Sequence, residues 1–469
     1  MCNRYFIHTP DKPQSQRWAS LLSILENVLP VKFSCSREGQ SQFSGELVSG
    51  SPAGKACWDA ADVSSLSLPP VTNASSEGEL IELAVRFSDD PGVPFPFRGR
   101  SIRTKVCGEP RTLSLNPEEQ PLAMCEFGPV WVVSKGRAAN HFRSAFSPPV
   151  LSADGSLKDV LNGQRFLEML PLLHWLRGIC ARTIDCAPSL RACFMFDDPN
   201  LHWPRYGFVD YRQLAERAEK ENYHVSFATI PLDTWFTHRG TAEIFRNEET
   251  RLSLLVHGNN HNKRELAQPY TVSERVCLLR QAVQRIERLE RRSGLSVSRV
   301  MVPPHGACSE HMLAALPVCG FEAACISHGS LRAHNKTSAW TKTLGYRPFE
   351  NVRGCPVLPR WGVTGDLKNT ILLAAYLNQA IILRGHHQDL KDGPELLDDL
   401  AGFVNGLGSV EWMNMTDMVR ANRPASSVDA QDAPKGSTAS KTQAKPSASV
   451  WFLRRLLTEG RDRLLSTRR

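Results

Sequence analysis

The sequence predicts an α/β protein in which parallel strands alternate with helices over residues 191–423, after a smaller β-rich part and before a tethered terminal helix. Three observations carry that expectation. From Arg191 onward, apolar runs of strand length alternate with stretches of helical periodicity, the pattern of repeated βαβ units. Several of those runs stop at proline, glycine or paired polar residues, as strands do where they reach the carboxyl end of a parallel sheet. Residues 76–160, by contrast, show short β-type runs separated only by turn residues. Alternation alone leaves open whether the parallel strands form an open sheet or a barrel.

Taken in order, residues 1–75 are serine-rich and weakly patterned. Their one helix candidate is Trp18 to Leu29, with Leu21, Leu22, Ile24, Leu25 and Val28 on one face. Residues 76–160 read as a small β-rich domain, with Leu80 to Phe87 and Gly128 to Val133 as examples. Asp89-Asp90 precedes Pro91-Gly92 and reads as a polar turn. Phe166 to Cys180, inside a connecting segment 161–190, predicts an apolar helix bent near Pro171, with His174 a satisfied core histidine.

In the α/β part the strand candidates are Ala192–Phe196, Val225–Ile230, Leu252–Val256, Arg299–Val302, Glu322–Ile326 and Ala380–Leu383. Helix candidates are Tyr211–Asn222 and Val272–Arg292. The second opens on Thr271-Val272-Ser273-Glu274, a capping region, and stops at Gly294. Residues 424–449 have the Ser/Ala/Lys/Pro/Gln composition of a flexible linker. Residues 450–469 predict a basic amphipathic helix, suited either to peripheral membrane contact or to docking on the chain's own surface.

Composition excludes some classes. The chain has 469 residues, enough for two or three domains, with 41% hydrophobic and 22% charged residues, ordinary for a soluble protein. No stretch approaches the ~18 apolar residues of a membrane span. The first residues lack a secretory signal pattern, so a cytoplasmic location is expected, peripheral to the inner membrane if the terminal helix binds lipid. Thirteen cysteines without regular spacing, and no Cys-x-x-Cys pair, suggest reduced thiols and no thiolate zinc site. Net charge is +8, but residues 454–469 alone carry six arginines against Glu459 and Asp462. The centre has no basic stripe interleaved with aromatics, so no nucleic-acid partner is expected.

The chemistry-bearing residues gather at predicted strand ends. Cys193-Phe194-Met195-Phe196 delivers Asp197-Asp198 and is cut short by Pro199. Two adjacent carboxylates on a buried strand are costly unless a cation or a proton separates their roles. Leu254-Leu255-Val256 delivers His257-Gly258-Asn259-Asn260-His261, whose two histidines, four apart, would face one ion from one side of a helical turn. Two histidines plus one carboxylate leave coordination positions open, as a catalytic metal site does. Val302 then leads into Pro303-Pro304-His305-Gly306, and Leu383-Arg384-Gly385 into His386-His387.

In order and spacing this set resembles the metal-dependent polysaccharide deacetylases of carbohydrate esterase family 4. The family's Thr-Phe-Asp-Asp-Gly is similar to Met195 through Pro199, and its His-(Ser/Thr)-x-x-His to His257 through His261. Its Arg-x-Pro-x-Gly resembles Val302 through Gly306, and its late strand-then-histidine resembles Leu383 to His387. The likeness covers about half the chain, residues 191–420, and nothing before it.

The resemblance implies a distorted (β/α) barrel and a divalent cation, zinc being expected, held by Asp198, His257 and His261. It implies Asp197 as general base, His386 or His387 as general acid, and oxyanion stabilisation from Pro304, His305 and Gly306. The expected activity is hydrolysis of N-acetyl groups on a sugar, glycan or glycan precursor. Rival readings are hydrolysis of another non-peptide C–N bond on the same scaffold, or a non-catalytic glycan-binding or assembly protein.

The chain departs from the family pattern in two places. Pro199 replaces the glycine after the acid pair, so that loop must differ. The family's base-orienting arginine is Val302 here, and Arg360 or Arg384 would have to replace it from another loop. Trp203, Tyr206 and Phe208 either line a sugar cleft or pack in the core. Glu265, four after His261, either orients a ligand or lies on a solvated helix surface, the second being favoured. His224, His238, His311 and His328 have no partner spacing and read as surface or structural.

Overall fold

The computed structural model describes residues 4–36, 43–49, 63–70, 79–108, 111–136, 138–181, 189–363 and 367–422. The linker and terminal helix expected at 424–449 and 450–469 lie outside the described residues. No described helix is long and apolar enough to cross a membrane.

Nine strands make the first sheet: β1 (Tyr5–His8), β2 (Val31–Ser34), β3 (Gly45–Ser49), β4 (Ser64–Leu68), β5 (Leu80–Phe87), β6 (Ser101–Cys107), β7 (Glu119–Cys125), β8 (Gly128–Lys135) and β9 (Asn140–Ser144). Their order is β2-β1-β3-β4-β9-β8-β7-β5-β6. The half from β2 to β9 is parallel and the rest antiparallel. The weakly patterned segment 1–75 and the β-rich segment 76–160 are therefore one sheet, joined where β4 pairs β9. The sequence hid this because β1–β4 are only four or five residues long, too short for alternation to register.

The helix Ala19–Val28 forms as expected and buries Leu21, Leu22, Ile24 and Leu25. In the connecting segment the helix is Leu170–Ile179, with Pro171 in its first turn. The proline starts that helix and does not bend it, since its missing N–H costs nothing there. His174 packs edge-on against Trp131, and burial pushes its imidazole down to about 4.

The second sheet uses β10 (Leu190–Asp197), β13 (Val225–Thr229), β14 (Leu252–His257), β15 (Val297–Val302), β16 (Ala323–Cys325), β17 (Glu350–Val352), β18 (Cys355–Leu358), β19 (Trp361–Gly362), β20 (Ile381–Gly385) and β21 (Val410–Trp412). A hairpin of β11 (Arg205–Tyr206) and β12 (Val209–Asp210) stands apart. The order is β17-β18-β16-β15-β14-β13-β10-β20-β19, with β21 also on β10, and every pair except β17–β18 is parallel.

This sheet curls around a common interior without closing, the distorted (β/α) barrel the motifs implied. Cys193, Met195, Ala228, Leu255, Val300, Val302, Cys325, Leu358 and Ile382 fill that interior. Met415, Met418 and Val419, from the helix Met415–Asn422, join the same cluster. Thr416 bonds Ser298 near the start of β15, which puts this helix at the amino-terminal end of the barrel.

Parity positions the site. Side chains alternate along a strand, so Met195 and Asp197 share the inward face of β10, as Leu255 and His257 do on β14. The long helix Val272–Ser293 forms as the sequence indicates. Thr271 and Glu274 make a reciprocal capping box, and Gly294 ends the helix at φ +67°.

Candidate metal and acid–base site

Asp197 ends β10 inside the barrel and is 4% exposed. A carboxylate there needs a cation, and Arg360 provides it: Nη1 lies 2.7 and 3.0 Å from the two carboxylate oxygens and 3.5 Å from Met195 Sδ. Arg384 Nη1 stands 3.9 Å away on the other side. Of the two arginines considered as replacements for the missing one, Arg360 makes the direct contact. Burial, the largest influence, would raise the Asp197 carboxyl, but the charges of Arg360 and His257 and the hydrogen bond from Arg360 together hold the group below its ordinary value.

Asp198 does not continue the strand. Its φ is +81°, a left-handed value a non-glycine residue adopts at a cost, and Pro199 follows. That turn sends the adjacent carboxylates to different partners. Asp198 Oδ1 lies 3.0 Å from His261 Nε2 and 3.4 Å from His257 Nε2. One donor atom from each of the three lies within 4.8 Å of the others. Burial would raise the Asp198 carboxyl, but hydrogen bonds and charge from the two imidazoles hold it well below the usual range.

The two histidines do not meet through helical spacing. His257 ends β14, Gly258 has φ +60° and His261 φ +59°, so the motif is an irregular loop. A register shift after Leu255 brings His257 level with Val302. A side chain at Gly258 would collide with Pro304 and Glu265, its Cβ falling 2.5 and 2.6 Å from them. Glu265 is neither on a solvated helix nor exposed: it is 1% accessible. Its carboxylate accepts the backbone N–H groups of Asn259 at 2.8 Å, Asn260 at 2.8 Å and His261 at 3.3 Å. Arg285, from the long helix, holds the Asn259 and Asn260 side-chain oxygens at 2.7 Å. Glu265 and Arg285 set the loop; the spacing of Glu265 from His261 hinted at an orienting role, while nothing in the sequence announces Arg285.

The donor set suits a divalent cation. His257 Nδ1 lies 2.9 Å from the Val302 carbonyl oxygen. That bond makes Nδ1 the protonated nitrogen and turns the Nε2 lone pair toward Asp198 and His261. Two imidazoles and one carboxylate are donors of a kind that can hold a divalent cation.

The remaining motif residues ring this centre. Pro304–Gly306 forms a tight turn with left-handed φ at His305 (+56°) and Gly306 (+69°). The Gly306 N–H closes onto Pro303 oxygen at 3.0 Å, and proline has no N–H, so His305 carries the remaining one. The His305 ring packs on His261 with centroids 4.9 Å apart. Gly385 pairs with Phe196, so His386 and His387 leave β20 level with Asp197 and Asp198. His387 is buried under the β11–β12 hairpin, stacked on Phe208 and edge-on to Tyr206; a Cβ at Gly207 would overlap its ring.

Trp203, 48% exposed, stacks toward the His238 ring, and Trp235 and Phe236, which pack on each other and on the His202 ring, are also exposed. His224 is structural, bonded to Thr250 oxygen and Ser253 Oγ.

No family model matches the sequence, and no curated protein matches it by sequence. Solved structures do match. The crystal structure of Agd3, a novel carbohydrate deacetylase, aligns with a TM-score of 0.52 at 10% identity, covering 89% of this chain and 86% of its own. A putative polysaccharide deacetylase from Mycobacterium smegmatis aligns at TM-score 0.38 and 14% identity over 55% of this chain and 97% of its own. The first likeness shows a shared fold. It also takes in most of the N-terminal sheet, where the motifs reached only residues 191–420.

Proposed function

We propose that the protein is a metal-dependent carbohydrate deacetylase, hydrolysing N-acetyl groups of a sugar, glycan or glycan precursor to acetate and a free amine. The observation that carries this reading is the division of labour at the end of β10. Asp197 is tied to Arg360, while Asp198 turns away to face His257 and His261.

In this reading Asp198, His257 and His261 hold a divalent cation, zinc being the proposed ion. Bound there, it would supply Lewis acidity toward the acetamide oxygen and the attacking water. Asp197, kept ionised by Arg360, accepts the proton the water loses. The His305 N–H faces the developing oxyanion. His387 returns a proton to the departing amine, with His386 as the neighbouring candidate. Residues 191–423 form the catalytic unit.

The test combines metal analysis of the purified chain with acetate release from a panel of N-acetyl sugars. Stoichiometric zinc, acetate release, and loss of release in Asp197→Asn are expected. A metal-loaded protein that releases acetate from none of the panel would favour hydrolysis of a different C–N bond. Absence of metal at the triad would overturn the reading altogether.

A further inference from the structure

We propose that Arg384 is the specificity residue of this site, and that it selects an N-acetyl sugar carrying an oxyanion, a carboxylate or a phosphate, over a neutral one. The inference rests on the deacetylase reading and deepens it by naming the charge of the substrate.

Two arginines converge on one acid at the end of β10. Arg360 bonds both oxygens of Asp197 through Nη1, at 2.7 and 3.0 Å, and is almost wholly buried. That contact already neutralises the carboxylate. Arg384 Nη1 stops 3.9 Å short of it, beyond hydrogen-bond reach, and its side chain is 33% exposed. A guanidinium carries five N–H donors. Those of Arg384 make no hydrogen bond among the described residues, so a cation stands at the mouth with its donors uncommitted.

The fold holds it there. Ile382 fills the barrel interior, so Arg384, two residues further along β20, takes the same inward face, level with Met195. Gly362 pairs with it on β19, and a Cβ there would come 3.1 Å from Arg384 Nη2. The glycine leaves the guanidinium room that a side chain would take.

Where the substrate lies follows from the same strand. His386 and His387 continue β20 and are the proposed proton donors to the leaving amine. The sugar is attached through that nitrogen, so it extends over β20, while the acetyl group extends toward the proposed ligands on β10 and β14. Arg384 therefore faces the sugar and not the acetyl group.

The surrounding charges make an anion the fitting partner. Asp198 faces His257 and His261, and Asp389 accepts the His386 N–H at 2.7 Å. Among the described residues, no acid except Asp197 comes within 4.0 Å of Arg384. Lys263 forms no ion pair among them either, and its charge bears on the His305 ring. A surplus of positive charge at a cleft draws in acidic ligands. A guanidinium then holds carboxylate or phosphate oxygens through charge-assisted hydrogen bonds, which a neutral hydroxyl matches only weakly.

The experiment uses the full chain and three N-acetyl sugars: N-acetylglucosamine, its 1-phosphate, and N-acetylmuramic acid, which carries a carboxylate. Acetate release and calorimetric binding are measured for each in the wild type, Arg384→Gln and Arg384→Lys. In the wild type, kcat/KM for at least one acidic sugar should exceed that for the neutral sugar by about tenfold or more, chiefly through KM. The margin should shrink as ionic strength rises. Arg384→Gln should bring the ratio close to one, and Arg384→Lys should restore part of it. The ratio is internal to each variant, so a general loss of folding or of Asp197 function cancels from it. A preference for one acidic sugar alone supports the proposal and names the oxyanion. A preference that Arg384→Gln leaves intact overturns it, because the anion is then held elsewhere. Acetate release at equal kcat/KM from acidic and neutral sugars leaves the deacetylase reading standing and removes the role of Arg384. Tighter, Arg384-dependent binding of an acidic sugar, with no acetate released from any of the three, keeps the anion site and removes the deacetylase reading.

Discussion

Arg360 reaches Asp197 across the barrel, one guanidinium nitrogen lying 2.7 and 3.0 Å from the two carboxylate oxygens, with both side chains about 95% buried. The pair solves two problems at once. It makes an inward-facing carboxylate tolerable in a low-dielectric interior, and it keeps that carboxylate ionised and pointed.

Arg360→Ala should therefore lower turnover by about 100-fold or more while leaving metal content near wild type, because Arg360 touches none of the three proposed ligands. Leaving Asp197 buried and unpaired should also destabilise the fold by about 3–5 kcal/mol. Arg360→Lys should recover part of the turnover, since a single guanidinium nitrogen makes both contacts with Asp197 and an ammonium keeps that charge. Parallel metal analysis, acetate release and thermal melts check all three statements.

Glu265→Ala should weaken metal binding by about 10–100-fold without touching a ligand, because three backbone N–H groups of the His257–His261 loop lose their acceptor. Chelator competition measures it. Unchanged affinity would mean that Arg285 alone holds the loop.

Zinc should raise the melting temperature of the wild type but not of His257→Ala. A site that binds only the folded chain stabilises it by about 2.7 kcal/mol at a free-ion concentration 100 times the dissociation constant. A shift of equal size in the variant would place the ion elsewhere.

Glu350 predicts a pH dependence of stability away from the site. It is 3% exposed, its Oε1 has no hydrogen-bond partner among the described residues, and burial raises its carboxyl from 4.5 to about 7 against the opposing charge of Arg347. Between those values the folded chain keeps a proton that the unfolded chain releases. Stability should fall as pH rises from about 4.5 to about 7, and stay lower above that, by about 3 kcal/mol. Glu350→Gln should flatten this slope and melt higher than wild type at pH 8, as calorimetry across pH would show.

What could be read from the chain alone was whatever physics keeps local. The apolar runs, the proline after Asp197-Asp198, the capping box at Thr271 and the order of acids and histidines at strand ends all act within a few residues. They were enough to indicate parallel βαβ units and to single out the acid pair with His257 and His261; the barrel, and Asp198 as the ligand of the pair, came from the resemblance to the deacetylase family. The histidine pair was found through a helical spacing it does not have; the residues converge because Gly258 and His261 take left-handed backbone angles and Glu265 ties down the loop.

Only the tertiary structure decided the rest, since those contacts join positions far apart in sequence. Arg360, named with Arg384 as a candidate for the role, meets Asp197 only because the fold brings its loop over Met195 and Asp197. The short strands β1–β4 gained their identity from pairing that ends at β9, because a strand of four residues carries too little alternation to declare itself. Local chemistry chose the candidate groups; long-range packing chose how they are aimed.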